Sequence, residues 1–329
     1  MDPRNVIDDV LELSVVGSFG RPGLVLRKRL FGWGSPEPNC LMGRTALVTG
    51  CTSGLGRATT EALAALGARV VLAGRNGEKL AALRDELVDR HGEDRFPILV
   101  VDMSSLVSVR AAVAHVLEAE SQLDVLVDNA GAMYAERTLS PDGIEASLAT
   151  MVVGPFALVS GLLPLLARTP GSRVVSVTSG GMYTQRVPFD DLQYERGEWS
   201  PSRAYARAKR ISVAMTREWA RRLAAARIDV AMNSMHPGWA DTPGLAEALP
   251  AFHRRMKPIL RSPAEGADTI VWLATSSSVP RRGGGLYLDR RTRPFDRIPS
   301  TRLTAADRRR LWDFVVELSG APDPLPLGP

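Results

Sequence analysis

The stretch that most constrains the fold is Thr45-Ala-Leu-Val-Thr-Gly-Cys-Thr-Ser-Gly-Leu-Gly56. Residues 46–49 are small or β-favouring and suit a strand buried on both faces, whereas alanine and leucine recur at helical spacing from Leu55 to Gly67. A strand therefore passes into a helix through a turn with glycines at 50, 54 and 56. Glycine takes positive φ readily and lets another group come close to the backbone. The free N–H groups and partial positive charge of the helix N-terminus would complement an anion such as a pyrophosphate. A glycine-rich turn alone says little. Here the strand-turn-helix context is met, and a second strand at residues 69–73 follows at the distance a βαβ unit needs.

Strand and helix patterns then alternate. A helix over 77–90 precedes a strand at 97–101, and a helix over 105–118 precedes a strand at 123–127. A long helix is expected over 142–167, then a strand at 173–178, a polar connection over 180–200, a helix over 203–225 and a strand at 228–235. Such repetition implies right-handed crossovers and a parallel sheet with helices on both faces. The expected fold is a single doubly wound α/β domain of Rossmann type at 44–290, with an N-terminal helical arm at 1–43. A segment at 291–329 would add a helix near 304–318 and a Pro-rich tail that frays.

Composition narrows the function classes. The two cysteines, Cys40 and Cys51, give neither a disulfide framework nor a ligand cluster, which fits a reducing cytosol and no structural metal. No uncharged apolar run approaching the roughly 18 to 20 residues of a membrane-spanning helix is expected. Asp2, Asp8 and Asp9 replace the basic start of a signal peptide, so a cytoplasmic location is expected. A net charge of +5 comes without a nucleic-acid-binding motif, and arginines 281, 282, 290, 291 and 293 read as a solvated rim. The arm itself stays open. It could pack on its own domain or on another subunit, or, with Arg27, Lys28 and Arg29 beside Phe31 and Trp33, lie on anionic lipid at the membrane.

With these motifs in hand, residues 43–290 resemble the short-chain dehydrogenase/reductase family. Residues 49–56 are similar to its coenzyme turn, Asn129-Ala130-Gly131 to its Asn-Ala-Gly element, and Ser179 with Tyr205-Ala-Arg-Ala-Lys209 to its catalytic serine, tyrosine and lysine. Pro237-Gly238 and Thr242 resemble the segment that closes over a nicotinamide. The strings at 179–182, 235–244 and 266–269 look nearest to the branch called family member 12. The resemblance implies a catalytic set of Ser179, Tyr205 and Lys209. It implies cofactor contacts at Gly50, Thr52, Ser53, Gly54, Leu55, Gly56, Asp102, Asn129, Ala130, Gly131, Tyr205, Lys209, Pro237, Gly238 and Thr242.

The residue chemistry supports these roles. Tyr205 and Lys209 are four apart and project from one helix face, where an ammonium would favour the phenolate of a tyrosine. Ser179, just past a strand, could donate to a substrate carbonyl. Arg75 directly follows the second strand, where a guanidinium would pair with the 2′-phosphate of NADP and an acid would instead suit NAD; NADP is preferred. One position departs from the family pattern: Met151 stands where an asparagine usually holds a water beside the lysine. Either a backbone carbonyl holds that water, or Thr150 substitutes, or proton delivery is impaired.

The expected activity is reduction or oxidation of a lipophilic carbonyl or alcohol. Met182, Tyr183, Trp239, Leu245, Leu249 and Phe252 would line its site. The alternative is an NADP-binding regulatory protein with little turnover. A homodimer stays open as well.

Overall fold

The computed structural model describes residues 2–93 and 95–326. Three short helices come first: α1 (Pro3–Leu13), α2 (Val15–Phe19) and α3 (Arg21–Leu30). Then follow β1 (Thr45–Thr49), α4 (Gly54–Ala65), β2 (Arg69–Gly74), α5 (Gly77–His91), β3 (Ile98–Val100), α6 (Leu106–Ala119) and β4 (Val125–Asp128). The second half carries α7 (Ala146–Leu148), a π-helical turn (Ala149–Val153), α8 (Gly154–Arg168), β5 (Arg173–Val177), α9 (Pro201–Ala225) and β6 (Ala231–Met235). It ends with α10 (Pro243–Ala248), α11 (Pro250–Met256), α12 (Pro263–Thr275), β7 (Leu286–Leu288), β8 (Arg291–Thr292) and α13 (Ala305–Ser319).

The strands form one sheet in the order β3-β2-β1-β4-β5-β6-β7-β8. All neighbours are parallel except β7 and β8. Because side chains alternate along a strand, β1 sends Leu47 to one face and Ala46 and Val48 to the other. Leu47 joins a core with Val109 of α6, Phe156 of α8 and Ile211 of α9, whereas Val48 joins Leu63 of α4, Leu80 of α5 and Ile270 of α12. Both faces are thus covered, as the near-continuous apolar strands require. Helix α13 docks outside α8 and α9 through Trp312, which meets Trp219 at 4.9 Å and Phe156 at 5.1 Å between ring centroids.

Four expectations are corrected. The segment Ala146–Arg168 is long and apolar enough to cross a membrane by length and composition, contrary to the reading of no such run, but 83% of its most apolar window is buried in the core. That helix begins later than expected because Leu139 and Glu145 form a bridge, and Glu145 then caps α7 through Ser147 and Leu148 N–H. The tail does not fray through Leu325, whose carbonyl accepts from Arg222 at 2.8 Å, while Asp323 accepts from Trp312 at 3.0 Å. Residues 327–329 lie outside the described residues, as does Met1 of the arm.

Arginines 281, 282, 290, 291 and 293 do not form one solvated rim. Arg281 and Arg282 are exposed, but Arg290 pairs with Asp268, and Arg291 and Arg293 both reach the buried Asp8 of α1. They belong to a clasp that holds the arm on its own domain. At its centre Arg27, with no exposed surface, donates to Asp8 (2.6 Å), Glu12 (2.7 Å) and Asp289 (2.8 Å). Arg261 pairs with Asp289 (2.6 Å), and Arg297 with Glu12. Burial alone would raise the Asp8 carboxyl, but hydrogen bonds from Arg293 and Arg27 outweigh it and bring the pKa to about 2.

Candidate active site

β1 and β4 are adjacent where the strand order reverses, so the chains leaving their C-terminal ends diverge and open a crevice. The glycine turn lies on one side of it. Gly50 has φ +65°, and a Cβ on Gly56 would lie 2.1 Å from the Gly50 carbonyl oxygen, so the turn admits no side chain there. Ser53 caps α4 without a side-chain hydrogen bond, unlike Asn76 at α5 or Ser105 at α6, and leaves the first N–H groups of α4 uncovered by that hydroxyl. Thr52 and Leu55 are half-buried beside it, and Leu55 packs against Gly266.

Asn129 and Ala130 brace the turn from β4. Thr49 Oγ1 accepts from the N–H of Asn129 (2.9 Å) and of Ala130 (3.0 Å), and Asn129 Nδ2 donates to the carbonyls of Thr49 (2.9 Å) and Gly50 (3.3 Å). Opposite, Thr242 caps α10 through Leu245 N–H and lies against Gly54. Pro237 and Gly238 follow β6 and are fixed from behind: Arg261 Nη1 donates to the Pro237 carbonyl at 3.1 Å, and Trp239 N–H donates to Phe19 of the arm at 2.8 Å.

Arg75 and Asp102 lie apart from this group, at the ends of β2 and β3. Arg75 is exposed, with no carboxylate paired to it among the described residues. Asp102 is half-buried, and one carboxylate oxygen accepts from Ser104 N–H (2.9 Å) and Oγ (2.8 Å).

Ser179, Tyr205 and Lys209 converge at the carboxyl end of β5. Pro201 sits in the first turn of α9, where its missing N–H costs nothing, and Ser200 caps the helix. The Tyr205 and Lys209 side chains share a face; Lys209 Nζ lies 5.8 Å from the Tyr205 ring centroid. The Ser179 hydroxyl is close enough to the Tyr205 phenol to favour its ionised form, and Lys209 Nζ donates to the Val177 carbonyl at 2.7 Å. Gly131 closes the group, since a Cβ on it would lie 3.5 Å from Lys209 Nζ and 3.3 Å from Met151 Sδ.

The electrostatics differ from the expectation that the ammonium would acidify the phenol. Burial pushes Tyr205 up to about 12, opposed by the neighbouring Ser179 hydroxyl. The phenol is therefore held protonated. Burial also lowers the Lys209 pKa, while the charge of Asp128 raises it.

Asp128 was not singled out from the sequence. It is buried at the end of β4, accepts from Ser176 Oγ at 3.1 Å, and is pushed to about 6 by burial against the pull of Lys209 and Ser176. The available signal was its place directly before Asn129-Ala-Gly. Met151 is buried in the π-helical turn with its sulfur at Gly131, whereas the Thr150 hydroxyl is engaged with Tyr134 OH at 2.8 Å. π-helical turns recur at functional sites.

Two residues of the expected apolar lining are drawn into the core instead. Met182 and Tyr183 are buried in a small core with Val213 and Leu286, and Tyr183 OH donates to the Pro294 carbonyl at 2.8 Å. Trp239, Leu245, Leu249 and Phe252 remain partly exposed, with Trp239 and Phe252 edge to face at 5.3 Å. Phe19, absent from the expected set, packs against Gly180, His236 and Trp239. Burial and the charges of Arg261 and Arg297 hold His236 well below the usual histidine range, so it stays neutral.

A doubly wound parallel sheet with a glycine turn at its switch point defines a dinucleotide-type α/β fold. The chain belongs to the short chain dehydrogenase family, whose model matches residues 44–251. Members of that family are oxidoreductases acting on CH–OH and C=O groups. Human dehydrogenase/reductase SDR family member 12 is 36% identical over 84% of this chain and 86% of its own length, which supports the member 12-like branch. Mouse retinol dehydrogenase 14 is 34% identical over 85% and 87%. Among solved structures, an uncharacterized protein from Mycobacterium paratuberculosis superposes with a TM-score of 0.69 at 29% identity, covering 89% of this chain and all of that one.

Proposed function

We propose that the chain is an NADP(H)-dependent oxidoreductase that moves hydride between nicotinamide C4 and the carbon of a lipophilic carbonyl or alcohol. The observation that carries this reading is the convergence of Tyr205 and Ser179 with Lys209, one turn further along α9, at the carboxyl end of β5. The glycine turn fits the dinucleotide. Gly56 leaves no room for a side chain, and the first turn of α4 is free of a side-chain cap, so its N–H groups and dipole would hold a pyrophosphate. Arg75 would meet a 2′-phosphate, and among the described residues no carboxylate is paired with it. An Escherichia coli short chain dehydrogenase of the same fold, 24% identical, was crystallized with NADPH.

When bound, the cofactor supplies a hydride. The chain's own residues would do the rest. Tyr205 starts protonated, because burial keeps its pKa near 12, and gives its proton to the carbonyl oxygen as negative charge develops there. The Ser179 hydroxyl donates a second hydrogen bond to that oxygen and fixes the carbonyl's orientation. The Lys209 ammonium then offsets the phenolate left behind. Trp239, Leu245, Leu249 and Phe252 exclude water and favour an apolar substrate. The name of the retinol dehydrogenase relative is in keeping with such a substrate class.

A second reading, an NADP-binding regulatory protein, is favoured by Met151. Its thioether occupies the place beside Lys209 where an amide would hold a proton-carrying water.

Titration with NADPH and NADH, on wild type and Arg75→Ala, tests the cofactor assignment. NADPH should bind more tightly, with the preference lost in the variant; equal binding by wild type refutes it. Turnover of a retinoid or other apolar aldehyde panel, abolished by Tyr205→Phe while NADPH affinity is kept, supports the enzyme over the regulator.

A further inference from the structure

The first helix is built with its polar face inward. At 3.6 residues per turn, Asp8 and Glu12 lie on one side of α1 and face the buried arginines, while Val6, Val10 and Leu13 lie on the other. Leu13 is 86% exposed, Val10 60% and, on α2, Val15 58%. Eight of the fourteen exposed large apolar side chains among the described residues fall between Val6 and Leu26. A helix of a globular domain normally turns that stripe to the core. Here it cannot, because rotating α1 would strip Arg27 and Arg293 of their buried carboxylates, and uncompensated buried charge is strongly unfavourable.

Asp9 is exposed on α1 beside the stripe, but the rim beyond it is basic. Lys28 and Arg29 are exposed on α3, and Arg254, Arg255 and Lys257 are exposed on α11 and the turn after it. That turn abuts the arm, since a Cβ on Gly20 would lie 3.6 Å from the Ile259 carbonyl oxygen. At the end of α3, Phe31 and Trp33 are half-buried under Arg291 and Arg290, and the indole of Trp33 is of the amphipathic kind that suits a water-lipid boundary.

We infer that α1 to α3 dock this face on an anionic lipid surface, the apolar stripe entering the acyl boundary and the basic rim meeting the headgroups. An apolar face rimmed by lysine and arginine has the charge and pattern that such a surface recognises. A second copy bound across a two-fold axis would instead bring two basic rims into one interface. The inference is independent of the catalytic reading.

The test is flotation of the full-length protein with phosphatidylcholine vesicles, with and without phosphatidylserine. Wild type should float with the anionic vesicles. The double variant Val10→Asp/Leu13→Asp should lose partitioning about a hundredfold or more, because both apolar insertions are removed. Lys28→Gln/Arg29→Gln should lose about thirtyfold, from about 1 kcal/mol per base near the surface. All four positions are exposed, so unchanged thermal unfolding is expected and serves as the control for folding. Wild type that stays unbound with anionic vesicles, or both variants floating like wild type, overturns the inference. So does wild type that binds neutral vesicles equally well. Light scattering that shows a dimer, dissociated by Val10→Asp/Leu13→Asp and with no vesicle binding, would assign the face to self-association and overturn it too.

Discussion

Replacing Arg27 by methionine should release the arm without unfolding the sheet. Arg27 is fully buried and donates to three carboxylates at 2.6 to 2.8 Å and to the carbonyls of Gly17 (3.1 Å) and Ser18 (3.2 Å). Its loss does not leave the acids bare. Asp8 keeps Arg291 and Arg293, Asp289 keeps Arg261, and Glu12 keeps Arg297. The cost should therefore fall at the lower end of that for breaking a buried ion pair, about 3 kcal/mol. Nothing in β1 to β6 bonds to Arg27, so the cost falls on arm docking, and the open population rises about 150-fold. Limited proteolysis between residues 13 and 21 reads that population directly when cleavage is slow relative to reclosing. Cleavage at the wild-type rate would refute the clasp. The pH sign follows from Asp8: its carboxyl is depressed to about 2, so its contribution is present above 3.8 and lost as pH falls toward 2. Wild type should accordingly resist cleavage at pH 5 and yield near pH 2.

Three further substitutions probe the site. Gly56→Ala sets a methyl against the Gly50 carbonyl and should abolish dinucleotide binding at a cost of about 3 kcal/mol in urea unfolding, whereas Gly34→Ala, with open space around its Cβ, should be silent. Asp128, raised from 3.8 to about 6 by burial, favours the folded state most below 3.8 and loses that contribution as pH rises through 6. Asp128→Asn should flatten the stability profile in that window. By removing the charge that favours the Lys209 ammonium, it should also move the alkaline limb of the activity profile to lower pH. Met151→Asn should raise kcat on any accepted substrate; no gain would show that the thioether does not limit proton delivery.

What was legible in the sequence was local in origin. The turn at 50–56 carries three glycines between two periodicities, and Tyr205 and Lys209 meet because a helix repeats every 3.6 residues. The arm was not legible in this way. The amphipathic pattern of α1 shows two faces but not which is inside, and the answer depends on Arg27, Arg291 and Arg293, the last two nearly the whole chain away. The same distance hid the fate of Met182 and Tyr183, which read as lining but are drawn into a core completed by Leu286. Composition could not tell the buried 146–168 helix from a spanning one, since only its neighbours in the fold distinguish the two. The acid beside Lys209 was visible as a residue, but its burial was not.

The central claim is that Tyr205 delivers a proton while hydride reaches the same carbonyl. Incubation with NADPH deuterated at nicotinamide C4 and an apolar aldehyde, followed by mass spectrometry of the alcohol, measures this most directly. Wild type should place one deuterium on the carbinol carbon, and Tyr205→Phe should yield no labelled alcohol while still binding NADPH. Labelled alcohol formed at the same rate by Tyr205→Phe would contradict the account.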